Sequence, residues 1–128
     1  MAVAVVQQAE YAREAALVVR PRSGRDERRL EVRGELDLAT APAFLSALAF
    51  ALQARPALVE LDLRQLTFID ARCAGAIATA STRVSGWGGT FVAREPQMKV
   101  RGVLALCGYA DPLWPRETLE TPPAAGIV

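Results

Sequence analysis

The chain has 128 residues, of which 52% are apolar and 23% charged, and its 15 basic and 14 acidic side chains nearly cancel to a formal charge of +1. That is the composition of one ordinary globular domain, and it asks for neither nucleic acid nor anionic lipid and leaves no room for a second catalytic domain. The chain contains no histidine, which removes the usual general base, the Ser-His-Asp triad and the commonest metal ligand together.

Residues 1–12 are apolar and Ala-rich without a clear period, and read as an N-terminal extension. Ala15 to Arg20 reads as a strand, Pro21 to Arg28 as a turn and Arg29 to Leu36 as a second strand, in which Leu30, Val32 and Gly34 alternate with Glu31, Arg33 and Glu35. That period of two predicts an antiparallel hairpin at the edge of a sheet. A basic cluster around its turn, Arg20, Arg22, Arg25, Arg28 and Arg29, is interrupted by Asp26, Glu27 and Glu31. A solvated turn is the plainer reading of that cluster and a docking patch the sharper one.

Thr40 precedes Ala41 and Pro42, a helix start with a capping hydroxyl and a proline where no backbone donor is needed. The helix runs to about Ala54 with Phe44, Leu45, Leu48 and Leu52 on one stripe, and stops before Pro56. Leu58 to Leu63 reads as a strand with Val59, Leu61 and Leu63 on one face; because a helix leads into it, it should lie parallel to its neighbour. After Asp70, residues 71–85 read as a helix closed by Gly86, and Trp87, Gly88 and Gly89 turn the chain into a strand from Thr90 to Ala93. A final helix begins near Pro96, carries Val100, Val103, Leu104 and Cys107 at helical spacing and ends at Gly108. Leu113 and Trp114 form either a last short strand or a plug against the helix end, and residues 116–128 read as a disordered tail. The order β-β-α-β-α-β-α predicts a single α/β domain with a mixed four- to five-stranded sheet and helices mainly on one face.

No run approaches the ~20 apolar residues of a membrane span, and the first residues lack the pattern of a signal peptide, so the expected location is the cytoplasm, without direct membrane insertion. Two cysteines, Cys73 and Cys107, fit a reducing compartment and no zinc-ligand spacing. No metal site and no cofactor are expected.

The segment that could carry function is the strand that runs into Asp70 and then into a helix of very small residues, since open α/β domains place their working surface where a strand ends at the mouth of a helix. The pieces RGELDLATAP (33–42), ALVELDLRQLTFID (57–70) with Gly75 five residues on, and VRGVLALCGY (100–109) occur in an order and spacing that resembles the STAS domain family, the anti-sigma factor antagonists. The likeness covers roughly residues 13–115. It implies a binding protein that is not an enzyme, docks an anti-sigma factor of the Ser/Thr kinase type, and is switched off by phosphorylation of a hydroxyl at the start of the helix after the Asp. Asp70 matches the family's Asp, Ala71 falls on the phosphoacceptor, Arg72 on a residue often Ser or Thr, and Cys73 on a Gly; Gly75 and the corner from Gly34 to Asp37 match. Ala71 cannot accept a phosphoryl group, so the resemblance implies a member without the usual switch.

The partner-binding residues implied are Asp37, Thr40, Asp70, Ala71, Arg72 and Gly75, each with a plainer reading beside it. Asp70 could cap the helix, Asp37 could hold a turn after a strand bulge, and Gly75 could allow close packing of the helix on the sheet. Arg72 opposes the helix dipole and either meets an acidic partner or bends into water. Thr67, placed in the loop before Asp70, and Ser81 are alternative phosphosites. Cys73 and Cys107 read as small core residues, with a redox pair or a reactive first-turn thiol as the alternative. A second functional reading is a structural or scaffold STAS subunit of a larger signalling or lipid-transport assembly, and a homodimer is left open. An enzyme is disfavoured, because no phosphate-cradling loop or activated nucleophile accompanies the missing histidine.

Overall fold

In the computed structural model, which describes residues 17–111 and 114, the first two strands run further than their sequence pattern predicts. Strand β1 spans Leu17–Gly24 and β2 spans Glu27–Leu36, so the expected turn from Pro21 to Arg28 shrinks to Arg25 and Asp26. Pro21 does not break β1 because that strand lies at the sheet edge, where a missing amide donor is tolerated. Asp26 takes the tight turn at φ 58°, a conformation Asp reaches more easily than most residues. Its carbonyl and its Oδ1 both accept from the amide of Ala57, at 2.9 and 3.1 Å, which ties the hairpin tip to the start of the third strand.

The remaining elements are α1 (Ala41–Gln53), β3 (Leu58–Ile69), α2 (Ala71–Gly86), β4 (Thr90–Arg94) and α3 (Met98–Leu106). The sheet order is β1-β2-β3-β4, antiparallel between the first two strands and parallel thereafter. The mixed α/β architecture and its element order are as the sequence predicts, with four strands among the described residues. Leu17, Val19, Leu30, Val32, Val59, Leu61, Leu63 and Ala93 pack into one core with Phe44 and Leu48 of α1, Ile77 and Val84 of α2, and Val100 and Leu104 of α3. The helices therefore cover one face of the sheet. The alternate residues carry charge on the other face, where Glu60 is held between Arg29 at 3.4 Å and Arg94 at 2.5 Å, and Asp62 pairs with Arg64 at 2.7 Å.

Strand β3 does not stop at Leu63. Beyond it the apolar residues Leu66 and Ile69 recur every third position, which breaks the period of two, yet all three are buried. Two bulges reconcile this. Leu63 and Arg64 together face Val32, and Thr67 is an extra residue between the pairs Leu66 with Gly34 and Phe68 with Glu35. Each inserted residue turns the following side chain back toward the core. The predicted bulge at Gly34 is present, with φ 112° at that glycine. Thr67, expected in a loop, lies instead in this strand, its hydroxyl donating to the Gly34 carbonyl at 3.0 Å.

The β4 edge is closed by side chains. The Ala93 amide donates to the Tyr109 hydroxyl at 3.1 Å, that hydroxyl donates to Asp111 at 2.9 Å, and the Trp114 indole donates to the Ala93 carbonyl at 2.9 Å. Trp114 thus plugs the edge rather than forming a further strand, while Leu113, the extension over 1–12 and the tail over 116–128 lie outside the described residues.

Candidate functional site

The ends of β2 and β3 meet at one corner. The Asp70 amide donates to the Leu36 carbonyl at 2.9 Å, so the loop over 37–40 and the start of α2 are held side by side. Asp70 has extended backbone and its Oδ1 accepts from the Cys73 amide at 2.9 Å, a side-chain N-cap. Asp37 holds a turn: its Oδ1 accepts from the amides of Ala39 and Thr40 at 3.0 and 3.1 Å, and its carbonyl accepts from Ala41 at 2.8 Å.

Thr40 departs from its expected role. It precedes α1 but makes no side-chain cap. Its hydroxyl donates to the Glu35 carbonyl at 2.8 Å and accepts from the Asp37 amide at 2.9 Å, and the residue is only 1% exposed. It shapes the loop from below and offers a partner no surface. Leu38, by contrast, stands at the loop tip with 68% of its surface exposed.

On α2, Ala71 and Arg72 are exposed and Gly75 is half-buried. Arg72 makes no ion pair among the described residues, as an arginine reaching into water would. Gly75 does not serve close packing on the sheet, because a Cβ there would meet nothing within 4 Å. It belongs to the outward side of the helix, one turn beyond Ala71.

The first-turn thiol is the opposite of reactive. Cys73 is fully buried, and burial, reinforced by the hydrogen bond and charge of Asp70, pushes its thiol up to about 12. Cys107 is half-buried, and its Sγ donates to the Ala71 carbonyl at 3.7 Å, bringing the end of α3 against the start of α2. Both cysteines are free thiols. Ser81 is half-buried in the middle of α2, and its neighbour Thr82 back-bonds to the Ala78 carbonyl at 3.2 Å. Ten residues beyond Ala71, Ser81 lies about 15 Å along the helix from the corner. Thr67 is exposed and nearer to it.

The expected set omitted the exposed apolar side chains Leu38, Phe68 (48%), Met98 (60%) and Leu106 (89%). Leu106 precedes Cys107, whose Sγ reaches the Ala71 carbonyl. A signal was present: Met98, Gly102 and Leu106 recur every fourth residue on the stripe of α3 away from the buried Val100 and Leu104. No helix is long and apolar enough to cross a membrane among the described residues.

No curated protein matches the chain. Among solved structures, it is similar to an anti-sigma factor antagonist from Mycobacterium paratuberculosis, at 22% identity over 66% of this chain and 73% of that one, with a TM-score of 0.56. It is also similar to the anti-sigma factor antagonist SpoIIAA in its unphosphorylated form, at 17% identity over 71% and 81% of the two chains and a TM-score of 0.62. A structure described as Mglu aligns at 27% identity with 65% of this chain and 20% of its own, with a TM-score of 0.51. At these identities the first two establish a shared fold. The family model described as "Mlab, STAS domain" matches residues 19–115, from within β1 to just past the Trp114 plug, and the chain therefore belongs to this STAS domain family.

Proposed function

We propose that the protein is a non-enzymatic regulator that docks an anti-sigma factor of the Ser/Thr kinase type through the corner formed by the loop over 37–40 and the start of α2, and that phosphorylation at the helix start does not switch it. The observation that carries this reading is an exposed but unreactive Ala71 directly after the capping Asp70. Around it lie features of a protein-binding surface: an exposed Leu38, an outward Gly75 and an exposed Arg72 that makes no ion pair among the described residues. Two of the similar structures are anti-sigma factor antagonists by description. With Ala71 at the phosphoacceptor position, the complex forms whether or not ATP has been consumed.

The test mixes the protein with a kinase-type anti-sigma factor from the same organism, with ATP, and measures complex formation and intact mass. Binding with an unchanged mass is expected. Ala71→Ser should gain one phosphoryl group and lose binding, and Ala71→Asp should weaken the complex about tenfold or more by placing charge on the contact. Phosphate on Thr67 or Ser81 of the unaltered chain would mean that the switch has moved. The missing hydroxyl at Ala71 also fits a second reading, a scaffold subunit of a larger assembly, which needs no phosphoacceptor; it predicts no binding to the kinase and co-purification with other subunits.

A further inference from the structure

The opposite end of the molecule carries a second, cationic groove that the docking corner does not use. Helix α1 ends at Gln53 with Ala54 as its cap, and the next residue, Arg55, is held at φ 50°. Glycine is the usual occupant of that left-handed position, and arginine takes it at a conformational cost. The guanidinium of Arg55 lies 5.9 Å from the ring centroid of Trp87, just past the end of α2. Leu52, Gln53, Arg55, Arg83, Gly86 and Trp87 line an open groove of about 460 Å³. Neither Arg55 nor Arg83 pairs with a carboxylate among the described residues.

The groove has a rigid floor. The Trp87 indole donates to the Pro56 carbonyl at 2.9 Å. Gly89 permits this, because a Cβ there would come within 2.9 Å of both that indole nitrogen and Val84. The neighbouring Ala57 is bonded to Asp26 at the hairpin tip, where Arg22 and Arg25 are exposed. The hairpin tip also carries acidic groups, Asp26, whose carboxylate accepts from the Ala57 amide, and Glu27. The basic hairpin and the groove thus form one cationic end.

We infer that this groove binds an acidic segment of a protein, with carboxylates on Arg55 and Arg83 and an apolar side chain against the half-buried Trp87. Charge complementarity selects the occupant: two guanidiniums without counter-charge among the described residues line the groove beside Trp87, an arrangement suited to planar carboxylates beside apolar surface. Trp87 is half-buried and anchored by its N–H, so it is placed to receive a side chain rather than to insert into a bilayer. The site lies about 24 Å from the docking corner, the length of the 16-residue α2.

The test titrates the full chain, by amide and indole NMR, with a synthetic Glu-rich peptide carrying one central leucine. A Lys-rich peptide of equal length is the control, and phosphatidylglycerol vesicles form the membrane arm. Saturable shifts are expected at the Trp87 indole and the amides of Arg83 and Gly86, weakening with salt. The Trp114 indole, buried on the β4 edge, should stay still. Arg55→Gln and Arg83→Gln should each weaken the peptide by about tenfold with the rest of the spectrum unchanged. Ala71→Asp should leave this binding untouched, which separates the groove from the docking corner. No saturable shift, equal binding by the double variant, shifts confined to the hairpin, or preference for the vesicles would overturn the assignment.

Discussion

Asp70 has one hydrogen bond that can be removed cleanly. Asp70→Ala deletes the cap on the Cys73 amide and should cost about 0.5–2 kcal/mol in urea unfolding, whereas Asp70→Asn keeps an accepting oxygen and should lose much less. Two residues of the same surface differ in how far sequence could read them. Ala71 is informative by what it lacks, and no structure is needed to see that a methyl group cannot carry phosphate. Gly75 is informative only in three dimensions, because the same letter serves close packing on one helix face and open surface on the other. With nothing within 4 Å of its missing Cβ, Gly75→Ala should raise stability by roughly 0.5–1 kcal/mol through helix propensity. On the proposed docking face, that methyl group should raise the melting temperature and weaken the proposed anti-sigma complex together.

At the scale of elements, β3 and β4 owe their form to different contacts. β3 keeps its apolar side chains inward over twelve residues by absorbing two bulges, and those bulges rest on pairing with β2, a strand about thirty residues away. β4 is short, and its exposed edge would invite pairing with another chain had Tyr109 and Trp114 not taken up the backbone groups of Ala93. Tyr109→Phe leaves the buried Ala93 amide without its acceptor. It should cost about 1–3 kcal/mol and speed hydrogen exchange at Ala93 while leaving the amides of α1 unchanged. The plug was half legible in sequence: Trp114 reads as either a short strand or a plug, but neither the part of Tyr109 nor the backbone groups the two would bond could be read.

For the whole molecule, the buried ionisable groups set a pH window. Arg64, by its hydrogen bond, holds the Asp62 carboxyl below the ordinary value of 3.8. Its contribution is present above that pH and lost as pH falls through the folded value. Burial pushes Cys73 from 9.0 up to about 12 and raises Tyr109 above its ordinary 10.0, each helped by a neighbouring carboxylate. Above pH 9 the unfolded chain releases protons that the native chain retains, so stability declines progressively toward 12. Urea midpoints across pH should show a plateau with falls on both sides, and Cys73→Ala should flatten the start of the alkaline fall. By itself, the sequence determined the α/β class, the element order, the core faces of most strands and helices, and the lack of a hydroxyl directly after Asp70. These follow from periodicity, capping residues and side-chain chemistry, which act over a few neighbouring positions. The tertiary structure alone decided that β3 reaches Ile69, that Thr40 faces inward, that Gly75 faces outward, and that Arg55, Arg83 and Trp87 share a groove. Each of those depends on which distant backbone or side chain lies across the gap, and that contact is made only when the sheet closes against its helices.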